Sequence, residues 1–255
     1  SKVVEAKTSP VRACSQTRTQ IFCKRDTLMP DAVMLFAAGF GTRMGALTED
    51  RPKPLVEVAG KPLITHAMDL VQDLGSARVV VVNAHYRATQ IVDHFAGTNV
   101  QVVIESPDIL DTGGGLKAAL PMLAADVVFT MNTDAVWDGP NPLLVLEKAW
   151  TPDMRALLRC VPKARAIGHA GAGDIDLDDR GYARWGTQTI YTGVQIIRAD
   201  CVSDIAENVF SLKAVWERLE ADGALRAVEY PGTWCDVGHP GGITLAETML
   251  GYPDV

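Results

Sequence analysis

Several features that mark common protein classes are missing from this chain of 255 residues. Its five cysteines are odd in number and no two have Cys-x-x-Cys spacing, which disfavours a disulfide framework or a zinc site and fits a reducing cytoplasm best. No apolar run approaches the length of a membrane span. The net charge is −7, which disfavours nonspecific binding to nucleic acid, although local cations or a metal ion can still hold anionic nucleotides.

Two familiar glycine-loop signatures are also missing. The dinucleotide fingerprint needs a third glycine at position 44, where this chain has Met44. A P-loop needs Gly-Lys-Ser/Thr after its spacer, and none follows Gly39 or Gly41. Met44 and the later Arg-Pro-Lys-Pro segment therefore disfavour a dinucleotide-dependent oxidoreductase.

The most informative stretch runs from Val33 to Pro54. The apolar run 33–38 predicts a strand buried on both faces of a parallel sheet, and a glycine-rich turn follows it at once. Glycines in such a turn let the backbone approach a ligand, and successive amides can form an anion-binding nest. Arg43 adds a planar fork of donors, and Lys53 adds a point charge between two prolines that fix its backbone. These parts together suit a nucleoside triphosphate.

Residues 1–28 differ from the rest of the chain. They carry six basic and two acidic residues and no long apolar segment. We expect them to be an extension outside the catalytic fold, with Met29 as the natural start. Residues 29–255 then have the length of one domain, with a first half over about 31–150 and a second half over about 151–255.

Apolar runs of strand length alternate with helical patterns through the first half. This alternation predicts an α/β fold with a doubly wound, mostly parallel, Rossmann-like sheet, whose ligands lie beyond the carboxyl ends of the strands. After about residue 164 the pattern changes to glycine- and aspartate-rich hairpins or loops over 169–184 and then shorter elements, which predicts a smaller second lobe. The predicted strands are 33–38, 55–58, 79–82, 100–104, 127–131, 155–161, 190–197, 227–230 and 233–237. The predicted helices are 61–74, 86–95, 116–123, 143–150 and 212–219.

Three further motifs lie at or near strand ends. The stretch 111–115 (Asp-Thr-Gly-Gly-Gly) opens a helix, and its glycines suit close approach to a flat nucleobase or, alternatively, a flexible linker. Asp134 follows a buried strand, and Asp236 lies in Trp-Cys-Asp-Val-Gly; each is either a turn residue or a ligand for Mg²⁺, which prefers carboxylate oxygens. His85 ends another strand and more often packs than catalyses.

The longer string of motifs resembles the signature of the sugar-1-phosphate nucleotidylyltransferases. It comprises G-x-G-T-R-M, L-T, R-P-K-P-L and G-K-P-L-I, and the resemblance extends over roughly 33–250. It implies that a sugar-1-phosphate oxygen attacks the α-phosphorus of a nucleoside triphosphate and pyrophosphate leaves, with Mg²⁺ as cofactor. Nucleic acid and membranes are not expected partners.

The resemblance also implies roles for individual residues. Arg43 would act on the triphosphate, chiefly the leaving pyrophosphate, and Lys53 on charge around the α-phosphate and the sugar phosphate, while Asp134 and Asp236 would hold Mg²⁺. Residues 29–255 would form a single nucleotidyltransferase domain, in which 31–150 is the nucleotide half and 151–255 is the sugar half with the smaller, sugar-side lobe. The family usually has glycine where this chain has Thr133, which bears on how closely a ligand approaches there. The implied nucleotide-binding residues are Ala37, Ala38, Gly39, Gly41, Thr42, Arg43, Thr112, Gly113, Gly114 and Gly115. The implied sugar-binding residues are Asp174, Thr192 and Gly193.

Within the family, the chain is most similar to the uridylyltransferases that act on N-acetylmuramate-1-phosphate in cytoplasmic peptidoglycan recycling. Guanylyltransferases acting on mannose-1-phosphate share nearly every motif and are the alternative substrate group. A catalytically silent regulator that binds nucleotide sugars is an alternative of another class. The presence of Arg43, Lys53, Asp134 and Asp236 favours an active enzyme.

Overall fold

A computed structural model describes residues 28–75 and 78–252. The predicted extension therefore lies outside the described residues, except for Leu28. The carbonyl of Leu28 accepts a hydrogen bond of 2.7 Å from the indole nitrogen of Trp150, and Leu28 packs against the core with Met29. The described fold thus includes Leu28, one residue before the boundary predicted from the sequence.

The secondary structure alternates between strands and helices, as predicted, and most boundaries differ from the sequence prediction by one to three residues. The strands are β1 Ala32–Phe36, β2 Glu57–Val58, β3 Lys61–Pro62, β4 Val79–Ala84, β5 Gln101–Ile104, β6 Val127–Asn132, β7 Ala135–Asp138, β8 Ala156–Pro162, β9 Ala166–Ile167, β10 Ile175–Leu177, β11 Ala183–Trp185, β12 Thr189–Arg198, β13 Leu225–Glu229 and β14 Thr233–Asp236. The helices are α1 Leu63–Gln72, α2 Ala88–His94, α3 Asp111–Leu123, α4 Pro142–Ala149, α5 Asp200–Ser203, α6 Leu212–Ala221 and α7 Gly241–Met249.

The central sheet has nine strands, in the order β11-β10-β12-β6-β1-β4-β5, with β8 and β13 joined through β12. Strand β1 pairs in parallel with β4 on one side and β6 on the other, and β4 pairs in parallel with β5. Strand β1 therefore has parallel neighbours on both sides, and the strand order reverses there. In doubly wound sheets, ligands bind at the carboxyl end of the strands at this point. The predicted α/β fold with a doubly wound, mostly parallel sheet is confirmed.

Strand β1 is apolar because both of its faces are covered. Met34 packs with Leu116 and Ala119 of α3 in one core cluster, and Leu35 packs with Ile64 of α1 in the other. A strand buried on both faces has no polar side and reads as a continuous apolar run. This burial fixes the position of the glycine turn that follows β1.

A second sheet of three strands, in the order β7-β14-β9, combines strands from both halves of the chain. The sequence predicted the strand at 233–237 but missed β7, which pairs with it in antiparallel register, and also missed helix α7. The 169–184 region contains the hairpin β10–β11, as expected. In the residues that the structure describes, no helix is long and apolar enough to cross a membrane.

One arginine is enclosed in the sugar half. Arg159, on β8, is 0% exposed, and its guanidinium lies 5.1 Å from the ring centroid of Tyr230. Nη1 donates to the carbonyl of Glu229 at 3.0 Å, whereas Nε and Nη2 have no hydrogen-bond partner among the described residues. Burial lowers the pKa of Arg159 to about 10, because the charged form loses its hydration. The side chain is thus a buried cation without a carboxylate partner.

Replacing this cation by an apolar chain of similar length should not harm stability. We expect Arg159→Met to keep the free energy of unfolding within about 1 kcal/mol of wild type or to raise it, since desolvation opposes the buried charge. Arg159→Ala should lower it by about 3 kcal/mol, because a cavity forms. Urea unfolding measures both. An equal loss in the two variants would show that the guanidinium contacts, not packing, stabilise this region.

Candidate active site

A cavity of about 260 Å³ opens at the carboxyl ends of β1, β4 and β6. Its wall is formed by the glycine turn, the Lys53 segment, the ends of the three strands and the start of α3. The predicted site residues in this wall are Ala37, Ala38, Gly39, Gly41, Lys53, Thr112 and Asp134. The structure thus brings residues from three separate motifs to one cavity.

Gly41 and Lys53 are packed against each other. Gly41 has φ +66°, and a Cβ added there would lie 2.8 Å from the Cβ of Lys53. Only glycine combines this left-handed backbone with so close a neighbour. Lys53 is 8% exposed and is the first residue of the short 3-10 helix Lys53–Leu55. Pro52, which precedes this helix, has an extended backbone conformation. The two parts of the signature therefore form one rigid unit.

Lys53 forms an ion pair with Asp134. Its Nζ donates to Oδ2 of Asp134 at 2.8 Å, and the carboxylate side chain is 33% exposed, toward the cavity. Opposite charges in a partly buried site stabilise each other, and each would be costly to bury alone. The predicted catalytic cation and one predicted metal ligand are therefore direct partners.

Asp236 comes to the same place from the far end of the chain. It ends β14 and stands opposite Ala135 of β7, and the amide of Val237 donates to the carbonyl of Asp134 at 2.9 Å. Burial, and next the negative charge of Asp134, raise the pKa of Asp236 above its ordinary value. The nearby charges of Lys53 and Arg43 act in the opposite direction. Two cations and two carboxylates thus share one region.

Arg43 is exposed, and the loop that carries it is fastened at both ends. Near its beginning Met44 is buried, and at its end three donors from the start of α2 hold three consecutive carbonyls. Tyr86 Oη donates to the carbonyl of Thr48 at 2.9 Å, and the guanidinium of Arg87 donates to the carbonyl of residue 49. The side-chain amide of Gln90 donates to the carbonyl of residue 50 at 2.8 Å. An exposed arginine on a fastened loop can reach phosphate oxygens without a large rearrangement.

Thr133, the departure from the usual glycine, turns its side chain into the protein. It is 2% exposed, and its hydroxyl donates to the carbonyl of Phe36 at 2.7 Å. This hydrogen bond ties the end of β6 to the end of β1. The extra side chain therefore braces the two strands rather than projecting across the cavity.

Sequence reasoning missed a buried polar network behind the glycine turn. Asn83 accepts from the amide of Ala37 at 2.8 Å and donates to Glu105 at 2.7 Å. The other oxygen of Glu105 accepts from the amide of Leu110 at 2.7 Å, and both Asn83 and Glu105 are 3% exposed. The network links the ends of β1, β4 and β5 to the turn before α3. The available signal was a polar residue at the end of each apolar strand.

The three glycines of the Thr-Gly-Gly-Gly stretch lie behind the cavity. Helix α3 begins at Asp111 rather than at Leu116, so Gly113, Gly114 and Gly115 form its first turns and are buried. Thr112 reaches the cavity wall. A Cβ on Gly115 would lie 2.6 Å from the carboxylate of Glu105 and 2.8 Å from the amide nitrogen of Asn83.

The structure does not bring the predicted sugar-binding residues to this cavity. Asp174 accepts from the amide of Tyr191 at 3.0 Å, linking β10 to β12. The buried hydroxyl of Thr192 donates to the carbonyl of Arg159 at 2.9 Å, and Gly193 leaves space for the side chain of Asn132. In the described structure these residues have packing roles, and their contact with a sugar stays a prediction.

Two histidines lie close to the site. His85 uses Nδ1 to contact the carbonyl of Glu105 at 2.9 Å, so it supports the loop after β4. His169 was not singled out from the sequence; its Nδ1 lies 3.9 Å from Oδ2 of Asp236. The three described cysteines are buried and free, as expected of core residues, and burial raises the pKa of Cys160 and Cys235 to about 12.

Together, the doubly wound sheet, the glycine turn and the grouping of paired cations and carboxylates define a nucleotidyltransferase. Residues 33–208 match the MobA-like NTP transferase domain, and the chain belongs to that family. The resemblance drawn from the motifs is thereby confirmed, and a dinucleotide oxidoreductase is excluded.

Three similar proteins illustrate the family. The chain is 37% identical over 236 residues to an N-acetylmuramate alpha-1-phosphate uridylyltransferase of Caulobacter vibrioides, covering 87% of this chain and 97% of that protein. It is 28% identical over 223 residues to a mannose-1-phosphate guanyltransferase of Gibberella zeae, covering 81% of this chain and 60% of that protein. The fold also matches the crystal structure of HddC from Yersinia pseudotuberculosis complexed with GMP-PN, with a TM-score of 0.66 and 24% identity. The match covers 86% of this chain and 99% of HddC.

The position of Lys53 in the cavity wall predicts a large loss on its removal. We expect Lys53→Ala to lower kcat by about two to four powers of ten, the scale of losing one electrostatic donor. Lys53→Arg should not restore the rate, because a planar fork cannot take the place of the compact ammonium that contacts Asp134. Pyrophosphate release measures both, with exposed Lys148→Ala as the control. Near-wild-type rates would remove Lys53 from the reaction.

Proposed function

We propose that this chain transfers a nucleotidyl group from UTP to N-acetylmuramate-1-phosphate, giving a UDP-sugar and pyrophosphate. One observation carries the reaction type: the Lys53–Asp134 ion pair stands in the wall of a glycine-lined cavity, with Arg43 and Asp236 beside it. The choice of substrates is supported by the Caulobacter relative, whose whole length the chain nearly spans.

The proposed reaction needs no covalent enzyme intermediate. A phosphate oxygen of the sugar-1-phosphate forms a bond to the α-phosphorus, and the bond from that phosphorus to the pyrophosphate oxygen breaks. Catalysis then depends on positioning and on stabilising negative charge. The glycine turn supplies amides and space for the triphosphate, Arg43 binds the departing pyrophosphate, and Lys53 neutralises charge near the α-phosphorus.

The carboxylates fit a divalent ion shared with the substrates. In residues 28–75 and 78–252, no group of three or more His, Cys, Asp or Glu side chains can hold a metal alone. Mg²⁺ typically takes one or two carboxylates and completes its ligands with phosphates and water, and Asp134 and Asp236 supply such a pair. Burial, and next the negative charge of Asp134, raise the pKa of Asp236, so a cation between the two carboxylates is favoured. When bound, Mg²⁺ would offset the repulsion between the two anionic substrates.

Two other functions are distinguishable from this one. A mannose-1-phosphate guanylyltransferase is supported by the Gibberella relative, of which the chain spans 60%. A silent nucleotide-sugar sensor would not need the cations and carboxylates that the site retains. The cytoplasmic cell-wall recycling role follows only if N-acetylmuramate-1-phosphate is the substrate.

The decisive experiment is a pyrophosphate-release screen of four nucleoside triphosphates against a panel of hexose-1-phosphates. We expect the highest kcat/KM with UTP and N-acetylmuramate-1-phosphate. Preference for GTP and mannose-1-phosphate would establish the guanylyltransferase instead. If no pair releases pyrophosphate while nucleotide sugars bind, the sensor is correct.

The shared position of Asp134 and Asp236 predicts that they act as a unit. Asp134→Asn and Asp236→Asn should each remove most activity, and the double variant should be little worse than either single one. Turnover in excess Mg²⁺ measures the loss of activity. Thermal unfolding shows whether each variant is folded. Independent, multiplying losses, or full turnover in chelator, would contradict a common metal.

A further inference from the structure

The start of α3 is covered by a segment from the sugar half, residues 205–212. The carbonyl of Phe210 accepts from the amides of Gly113 and Gly114 at 2.9 and 3.0 Å. These are first-turn amides, which have no partner within their own helix. The chain itself therefore satisfies the two glycine amides, and they are not open to a ligand.

The glycines are needed for this contact. A Cβ on Gly113 would lie 2.3 Å from the ring of Phe210, and one on Gly114 would lie 2.1 Å from the carbonyl oxygen of Asn208. Both distances are far shorter than a carbon atom allows. Two glycines of the Thr-Gly-Gly-Gly stretch thus serve the approach of the 205–212 segment.

The same segment holds the cavity side of the turn. The amide of Leu212 donates to the hydroxyl of Thr112 at 3.0 Å, and the amide of Phe210 donates to the carbonyl of Leu110 at 3.2 Å. Thr112 and its neighbour Asp111 line the cavity. Any shift of the segment therefore moves part of the cavity wall.

Lys117 fixes the segment from α3. Its Nζ donates to the carbonyls of Ile205 at 2.6 Å and Glu207 at 3.0 Å, with longer contacts of 3.4 Å to the carbonyl of Ala206 and to Oδ1 of Asn208. An ammonium has three donors, and here a ring of acceptors surrounds it. Lys117 therefore holds consecutive carbonyls of the segment against α3.

We infer that Lys117 is a positioning residue for nucleotide binding, acting through the 205–212 segment on the turn that carries Asp111 and Thr112. The inference rests on the proposed function only in assigning the cavity to the nucleotide. The proposed function places the sugar phosphate near Lys53, whereas the segment that Lys117 holds contacts the start of α3. We therefore expect binding of the sugar phosphate to be independent of Lys117.

The test is Lys117→Met, which keeps the length of the chain and removes the donors. We expect KM for the nucleoside triphosphate to rise about tenfold, as for losing charged hydrogen bonds, with kcat and KM for the sugar phosphate within about twofold. Hydrogen exchange of the Gly113 and Gly114 amides, measured without substrates, should quicken about tenfold as the segment loosens. Lys117→Arg should recover part of both effects, and Lys148→Met should change neither.

The two readouts separate this inference from the proposed function. Faster exchange with an unchanged nucleotide KM would overturn the positioning role, as would unchanged exchange. If the wild-type protein turned over no nucleotide, the proposed function would fail. The positioning role of Lys117 would then be tested by calorimetric binding of UTP in place of KM. A general loss of structure in Lys117→Met, with equal changes in both KM values, would also overturn the inference, since the effect would not be specific to the nucleotide.

Discussion

The ion pair between Lys53 and Asp134 is the constraint on which the site depends. Lys53 belongs to the loop after β1 and Asp134 follows β6, so the pair joins the ends of two neighbouring parallel strands. Neither charge is easily buried without the other. Gly41 and Thr133 make the pairing possible, one by leaving space for the lysine stem and the other by tying β6 to β1.

The second constraint comes from the sugar half. Antiparallel pairing of β14 with β7 places Asp236 beside Asp134 although the two are far apart in sequence. Residues 205–212 cover the first turn of α3 from the same half of the chain. Residues 151–255 therefore contribute to the surroundings of the cavity at two points, and neither half of the chain alone holds the full set of charged groups.

The sequence allowed prediction of those features that depend on local pattern. The apolar run of β1, the glycine turn and the lysine between prolines each have a local physical cause. The contacts of Gly113 and Gly114 were not predictable, because Phe210 and Asn208 approach them from about a hundred residues away. The same holds for Asp174 and Thr192, whose hydrogen-bond partners lie on other strands of the sheet. The β7–β14 pairing escaped prediction because it joins two segments that lie about a hundred residues apart in the sequence.

Lys53 and Asp134 together set the charge that a nucleotide phosphate meets in the cavity. Calorimetric binding of UTP in chelator tests it most directly, comparing wild type with Asp134→Asn. Removing the carboxylate frees the ammonium and takes one negative charge from the cavity, so the variant should bind UTP about fivefold more tightly, although its turnover with Mg²⁺ is lost. Unchanged or weaker binding of UTP by Asp134→Asn in chelator would contradict the account.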